Sequence, residues 1–537
     1  MKVNIFLFFF VCFSNVVFAQ QDAWVFFTDK ENVEASIQNP ITILSQQAIA
    51  RKNAHQIPID ARDVPVNESY ISLLKSANGI SVLAKSKWMN AVHVRGEILD
   101  ITALFDLEFV SKIQFADKNV ASLSRPTIQH DKFAIEMGLE DFNYGSAENQ
   151  VDMIHVDALH LENYTGEGVV IAVIDAGFPN VNTMTSFNRL RANNRLLGGY
   201  DFVNRTSAIY DYTGSSHGTK VLSTMAGYIE NEFVGTAPDA SYYLFRTEEA
   251  SFENPVEESY WVEAAERADS LGVHIINSSL GYNTFDNANY NYQPSDMNGT
   301  TTFISRGANI ASEKGILVVN SAGNSGNNSW GIVTAPADAS GVLTVGAVDA
   351  DGLYATFSSR GNSFQNTQKP DVVAQGLGSV VIDETDVVVS NNGTSFSSPI
   401  LAGGIACLWQ ALPKANAEQI KQYIRLSASQ YTTPDYFLGY GIPNLQLALS
   451  LGLSIVESDV QTYRVYPNPV MQRLYIQLPT SHEERILRIY DARGKLIDEQ
   501  VYSNTHSNLE VSHLASGLYI LHVISNGESL NFKFIKS

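Results

Sequence analysis

Cysteine is almost absent: the 537 residues include only Cys12 and Cys407. Cys12 falls in an apolar start that export would remove, so Cys407 has no partner in the mature chain and an intramolecular disulfide is excluded. Stability must come from core size or bound ions. Positive charge is also short. Lys and Arg number 35 against 56 Asp and Glu, a formal charge of -21, and an acidic surface repels both nucleic acid and anionic membranes. The surplus reads as solubility. Long hydrophobic runs are missing too: beyond the first residues nothing approaches the roughly 20 apolar positions of a membrane helix. There is no internal repeat and no low-complexity segment. What is present is globular material, 45% hydrophobic and 17% charged, with a length that suits roughly three or four domains.

The chain begins with Lys2, an apolar run from Ile5 to Phe13, and Val17-Phe18-Ala19 before Gln20. That is the pattern of a signal peptide, residues 1–19, cut after Ala19. Residues 20–118 show alternation at Ile80-Ser81-Val82, Ala91-Val92-His93-Val94 and Ile113-Gln114-Phe115, with a helical pattern over 70–76, which predicts a small α+β domain. A polar tract at 116–150, rich in Ser, Asp, Asn and Gly, reads as an exposed, cleavable connector, and the boundary is set at 119–150.

From 151 the character changes. Short apolar runs at 169–174 (VVIAVI), 241–245 (SYYLF), 273–276 (VHII), 316–319 (ILVV) and 342–348 (VLTVGAV) alternate with helical patterns at 219–228, 260–270 and 304–314. This predicts an α/β domain, 151–453, with a parallel sheet covered by helices on both faces and a site at the carboxyl ends of the strands. After a polar linker, 454–462, alternation without helices returns: Leu474, Ile476 and Leu478, then Leu530, Phe532 and Phe534, with Asn526-Gly527 as a hairpin turn. Residues 463–537 are predicted to form a β-sandwich.

Chemistry concentrates in the α/β part. Asn391-Asn392-Gly393-Thr394 leads into a run apolar nearly all round, from Ile400 to Trp409, the mark of a buried helix. Pro399 is read as a tolerated first-turn proline. Ser395 then stands where free amides and the helix dipole favour negative charge, a good place for a nucleophile whose transition state carries an oxyanion. Asp175 follows the strand VVIAVI and precedes Ala176-Gly177. His217 opens a helix in Ser-His-Gly-Thr, and Asn324 follows ILVV in Ala322-Gly323-Asn324-Ser325-Gly326. A serine hydroxyl needs a base to take its proton; histidine suits that work near neutral pH, a buried carboxylate fixes its tautomer, and a side-chain amide can hold the oxyanion. Any one of these residues alone is an ordinary turn, loop or cap. Together, in this order, they point to one site.

The order and the local sequences resemble the subtilisin-like serine peptidases, over roughly 151–453. Ile174-Asp175-Ala176-Gly177, His217-Gly218-Thr219, Ala322-Gly323-Asn324 and Gly393-Thr394-Ser395-Phe396-Ser397-Ser398-Pro399 carry the resemblance, with weaker support from Val234-Gly235-Thr236-Ala237-Pro238 and Lys369-Pro370-Asp371-Val372. It implies a three-layer fold and a serine endopeptidase acting on proteins or peptides through an acyl-enzyme. Ser395 would be the nucleophile, His217 the base, Asp175 its orienting carboxylate, and Asn324 an oxyanion donor. Ser279-Leu280-Gly281 and Ala322-Gly323 would line the pocket for the residue before the cut. Phe396 and Ile400 stand where methionine and histidine are usual; neither carries chemistry. Thr334, two residues before Pro336, falls near the expected pocket floor, where its branched side chain would narrow the pocket.

The flanks fit the same picture. Residues 20–118 resemble the family's inhibitor-like propeptides, which implies an intramolecular inhibitor and autocleavage within the connector. Tyr466-Pro467-Asn468-Pro469, Ile489-Tyr490-Asp491 with Gly494, 514–519 (LASGLY) and the ending KFIKS resemble the sorting domains of the type IX secretion system. They imply passage through the periplasm, engagement of that machinery, and a secreted or surface location. No cofactor is required. Calcium is common in the family, and acidic loops such as 383–386 are candidates, but spacing places no site. A zinc peptidase is excluded for want of His-Glu-x-x-His, an esterase for want of Gly-x-Ser-x-Gly, and a dinucleotide fold for want of Gly-x-Gly-x-x-Gly. An inactive, binding member is disfavoured because all the catalytic residue types are present.

Overall fold

Alternating strands build the first sheet of the computed structural model, which describes residues 20–120, 142–458, 464–466, 468–477, 485–491, 495–502, 506–525 and 528–537. The signal peptide, most of the connector and Asn526-Gly527 lie outside these residues. The strands β1 (Gln21–Phe27), β2 (Ser81–Ser86), β3 (Ala91–Gly96) and β4 (Val110–Phe115) form an antiparallel sheet in the order β2-β3-β1-β4. Helices α1 (Val33–Gln38), α2 (Gln46–Ala54), α3 (Glu68–Ser76) and α4 (Ile98–Ala103) accompany it. Val25, Phe27, Ile71, Leu74, Val92, Val94 and Ile113 form its core. Asn67 starts α3 by accepting hydrogen bonds from the amides of Ser69 and Tyr70, which satisfies donors that have no helical partner.

The second part begins with α5 (Glu148–Asp152) and α6 (Val156–Leu161), then β5 (Val170–Asp175), α7 (Asn188–Ala192), β6 (Leu196–Asp201) and α8 (His217–Ala226). A ribbon of β7 (Tyr228–Ile229) and β8 (Phe233–Val234) leads to β9 (Ser241–Arg246), α9 (Pro255–Leu271), β10 (Ile275–Ser278), α10 (Phe303–Glu313), β11 (Leu317–Ser321) and β12 (Leu343–Val348). Then come β13 (Val372–Gln375), the hairpin β14 (Ser379–Ile382) and β15 (Val388–Asn391), α11 (Thr394–Ala411), α12 (Ala417–Leu426) and α13 (Leu445–Ser458). Seven strands make one parallel sheet, ordered β13-β12-β11-β10-β5-β9-β6.

From β5 the chain runs past β9 to edge strand β6, returns through α8 to β9, and crosses β5 through α9 to β10. Helices α8 and α11 pack on each other, and α9 and α10 do the same. The reversal beside β5 puts a crevice at the carboxyl ends of its strands. Every residue of α11 is buried, as its all-round apolar pattern requires.

Some boundaries differ from the sequence reading. Helix α5 starts at Glu148, inside the stretch read as connector, because the Gln150 amide pairs both ways with the Val380 backbone at 2.8 and 3.1 Å. Helix α13 runs to Ser458, into the stretch read as linker. Pro399 lies inside α11, not in its first turn.

The C-terminal strands β16 (Arg464–Tyr466), β17 (Arg473–Gln477), β18 (Arg485–Asp491), β19 (Leu496–Tyr502), β20 (His506–Glu510), β21 (Gly517–Ser525) and β22 (Glu528–Lys536) form two antiparallel sheets, β16-β17-β20 and β19-β18-β21-β22. Val470, Leu474, Leu487, Ile489, Leu509, Leu521 and Phe534 make a separate core. Residues 451–537 form a compact unit of their own. No described helix is long and apolar enough to cross a membrane.

Candidate active site

Asp175 is the last residue of β5 and fully buried. Its Oδ1 accepts from the Ala176 amide at 2.7 Å and pairs with His217 Nδ1 at 2.7 Å, while Oδ2 has no hydrogen-bond partner. His217 is the first residue of α8 and partly exposed. Strand end and helix start approach closely: a Cβ on Gly177 would lie 2.5 Å from the Ser215 carbonyl oxygen. Burial works against the imidazolium, but the charge and hydrogen bond of Asp175 outweigh it, so the His217 pKa stands above its ordinary value.

Ser395 occupies the first turn of α11, at the same sheet edge. The His217 ring lies 6.0 Å, centroid to centroid, from that of the adjacent Phe396. Pro399 has no amide hydrogen to give the Ser395 carbonyl four residues back. Ser279 Oγ donates to that carbonyl instead, at 2.9 Å. Asn324 is fixed from the opposite side. The Gly323 amide donates to Thr394 Oγ1 at 3.1 Å, and Thr394 in turn donates to Asn324 Oδ1 through both its hydroxyl and its amide, each at 3.0 Å. With Oδ1 so engaged, the amide's Nδ2 is left as the donor.

Ser279-Leu280-Gly281 follows β10 and Ala322-Gly323 follows β11. Asn320 Nδ2 ties the two segments by donating to the Leu280 carbonyl at 3.0 Å, and Tyr282 and Ala335 exchange backbone hydrogen bonds of 2.8 and 3.2 Å at their base. All the site residues read from the sequence therefore gather at one edge. The carboxylates of the 383–386 loop are engaged within the chain. Asp383 accepts from Thr385 and Val387, Asp386 from the Thr185 and Ser186 amides, and Glu384 pairs with Lys220. Among the described residues no cluster of three or more His, Cys, Asp or Glu is arranged to hold a metal.

The sequence reading passed over Glu248. It is buried, two residues past β9, and accepts hydrogen bonds from Thr247 at 2.7 Å and Tyr282 at 2.5 Å. Burial first, with the Asp175 charge adding, pushes its carboxyl up to about 7 against those hydrogen bonds. Its place past the strand next to β5 was the available signal.

The sequence profile described as the subtilase family matches residues 166–441. This chain belongs to the subtilase family. A profile for the Bacteroidota peptidase S8 propeptide domain matches 22–132, and one for a secretion system C-terminal sorting domain matches 464–537. Subtilisin DY of Bacillus licheniformis is 30% identical over 301 residues, 56% of this chain and 97% of that protein. Subtilisin E of Bacillus subtilis strain 168 is 28% identical over 380 residues, 70% and 84% of the two chains. Among solved structures, the MycP3 protease from the type VII (ESX-3) secretion system aligns with a TM-score of 0.46 and 21% identity, over 59% of this chain and 91% of that one. The subtilase is thus a serine-type endopeptidase carrying a propeptide domain and a type IX sorting domain.

Proposed function

We propose that this subtilase cleaves peptide bonds through an acyl-enzyme on Ser395. The observation that carries the reading is the 2.7 Å contact of buried Asp175 with His217 Nδ1, which leaves Nε2 as the base. Ser395 Oγ attacks the carbonyl carbon and its proton passes to His217. Asp175 holds the imidazole in that tautomer and stabilises the imidazolium. The oxyanion is taken by Asn324 Nδ2 and the Ser395 amide, and collapse expels the amine with the proton from His217. Water then repeats the sequence on the ester. Nucleophile, base and donors are all supplied by the chain. Extended substrate pairs with the 279–281 and 322–323 segments, where backbone hydrogen bonds ask little of sequence.

The protein is made with a signal peptide and held as a zymogen. Residues 20–118 bind as an intramolecular inhibitor until autocleavage in the connector, and the sorting domain directs the chain from the periplasm through type IX secretion. The test compares the full chain with Ser395→Ala. The parent is expected to lose its N-terminal segment and digest casein, while Ser395→Ala stays whole. A folded parent that neither processes nor digests would sink the proposal.

A further inference from the structure

Glu248 stands where two segments of the site meet. Its Oε1 accepts from the Thr247 hydroxyl at 2.7 Å and from the Tyr282 hydroxyl at 2.5 Å. Each donor belongs to a different part of the machinery. Thr247 follows Arg246, the β9 partner of Asp175, and its amide donates to the Asp175 carbonyl at 3.2 Å. Tyr282 directly follows Gly281, and its backbone is paired in both directions with Ala335. One carboxylate oxygen therefore ties the strand end that carries Asp175 to the segment 279–281. Tyr282 is 1% exposed, and a buried hydroxyl that loses its acceptor is costly.

The place is an expensive one for a carboxyl. Asp175 faces it from β5 with a charge of the same sign. Burial first, then the Glu248 charge, pushes Glu253 up to about 8 and Glu257, in the first turn of α9, up to about 9. Arg246 opposes these acids, yet it is already paired with Asp201 at 2.8 Å and Glu249 at 3.0 Å. The Glu248 charge also reaches His217 of α8, where it favours the imidazolium. A glutamine would offer the two hydroxyls the same acceptor without that charge. Contact and charge are thus separable by substitution.

We infer that Glu248 is a positioning residue: through Thr247 and Tyr282 it holds the segment 279–281 at a fixed distance from the Asp175–His217 pair, so that a peptide paired with that segment is presented to Ser395. This rests on the peptidase reading above. The full chain, Glu248→Ala, Glu248→Gln and Tyr282→Phe are each given a peptide long enough to lie along 279–281. A fluorophosphonate counts the active serine, and its labelling rate reports on Ser395 and His217 without that segment. Above the acid limb, Glu248→Ala and Tyr282→Phe should each raise KM about 10-fold with little change in kcat or labelling rate. The two together should cost no more than either alone. Glu248→Gln keeps the acceptor, so KM should return to the parent's value; it removes the charge, so the acid limb of kcat/KM should move to lower pH. An unchanged KM in Glu248→Ala, no rescue by Glu248→Gln, or full additivity with Tyr282→Phe overturns the inference and leaves the peptidase reading standing. If Glu248→Ala does not fold, Tyr282→Phe decides alone, and an unchanged KM there overturns the inference. A parent that reacts with no fluorophosphonate and cuts no peptide overturns both.

Discussion

In the proposed mechanism His217 carries the pH dependence. Its pKa lies above 6.5, and the base must be neutral, so the acid limb of kcat/KM is expected above pH 6.5. The same shift acts on stability with the opposite sense. The ion pair contributes fully below about 6.5 and is lost as pH rises through the raised folded value. Asp175→Asn should move the limb down and lower kcat by about 10⁴-fold, the size known for this change in serine-peptidase triads; a pH–rate profile of both proteins checks it. Ser279 acts one step further back. Ser279→Ala leaves the Ser395 carbonyl buried with no donor and should cost about 1–3 kcal/mol in thermal unfolding. Adding Pro399→Ala returns a helical N–H to that carbonyl, so the double variant should recover part of the loss. A cycle with no coupling would mean that the hydroxyl is not the carbonyl's effective partner.

At the scale of elements, the ends of secondary structures were legible and buried charge was not. Asp175, His217, Asn324 and Ser395 could be read because each sits where an apolar run stops or starts, within small residues that leave a recognisable string. Edge strand β6 (LLGGYD) is half exposed and holds two glycines, so no apolar pattern announced it. The hold of Thr394 on Asn324 and the pairing of Glu248 with Tyr282 passed unread because each joins distant segments. Helix α2 (QQAIARKNA) reads as a surface helix, yet Arg51 and Lys52 are buried in it. Arg51 and Lys52 meet Asp269 of α9 at 2.5 and 2.8 Å, Lys52 meets Asp63 at 3.1 Å, and Lys314 meets Asp63 and Asp60 at 2.7 and 3.0 Å. Desolvation raises Asp63, but Lys52 and Lys314 outweigh it and hold its carboxyl well below the usual range. Asp269→Ala should destabilise the unprocessed chain by about 3–5 kcal/mol, since it leaves buried Arg51 without a carboxylate and Lys52 with Asp63 alone. After the N-terminal segment is gone the same change should matter far less, and melting curves of both forms would reveal the difference.

Across the whole molecule, the N-terminal domain completes the packing of α9 and α10. The Trp24 indole donates to Ser259 at 2.8 Å and stacks on Phe303 with ring centroids 4.7 Å apart, while Glu266 accepts from the Lys87 and Trp88 amides at 2.9 Å each. The parallel sheet behind these helices is built from long-range pairings, which fold slowly. Mature enzyme inactivated by heat is therefore expected to stay inactive on cooling unless residues 20–118 are added back. Activity recovered with and without that segment measures this, and full recovery without it would refute the role. If residues 20–118 are cut away as proposed, Asp269 and Lys314 lose the opposite charges they are buried against, and the mature enzyme keeps in its helix ends the imprint of a partner present only while it was being made.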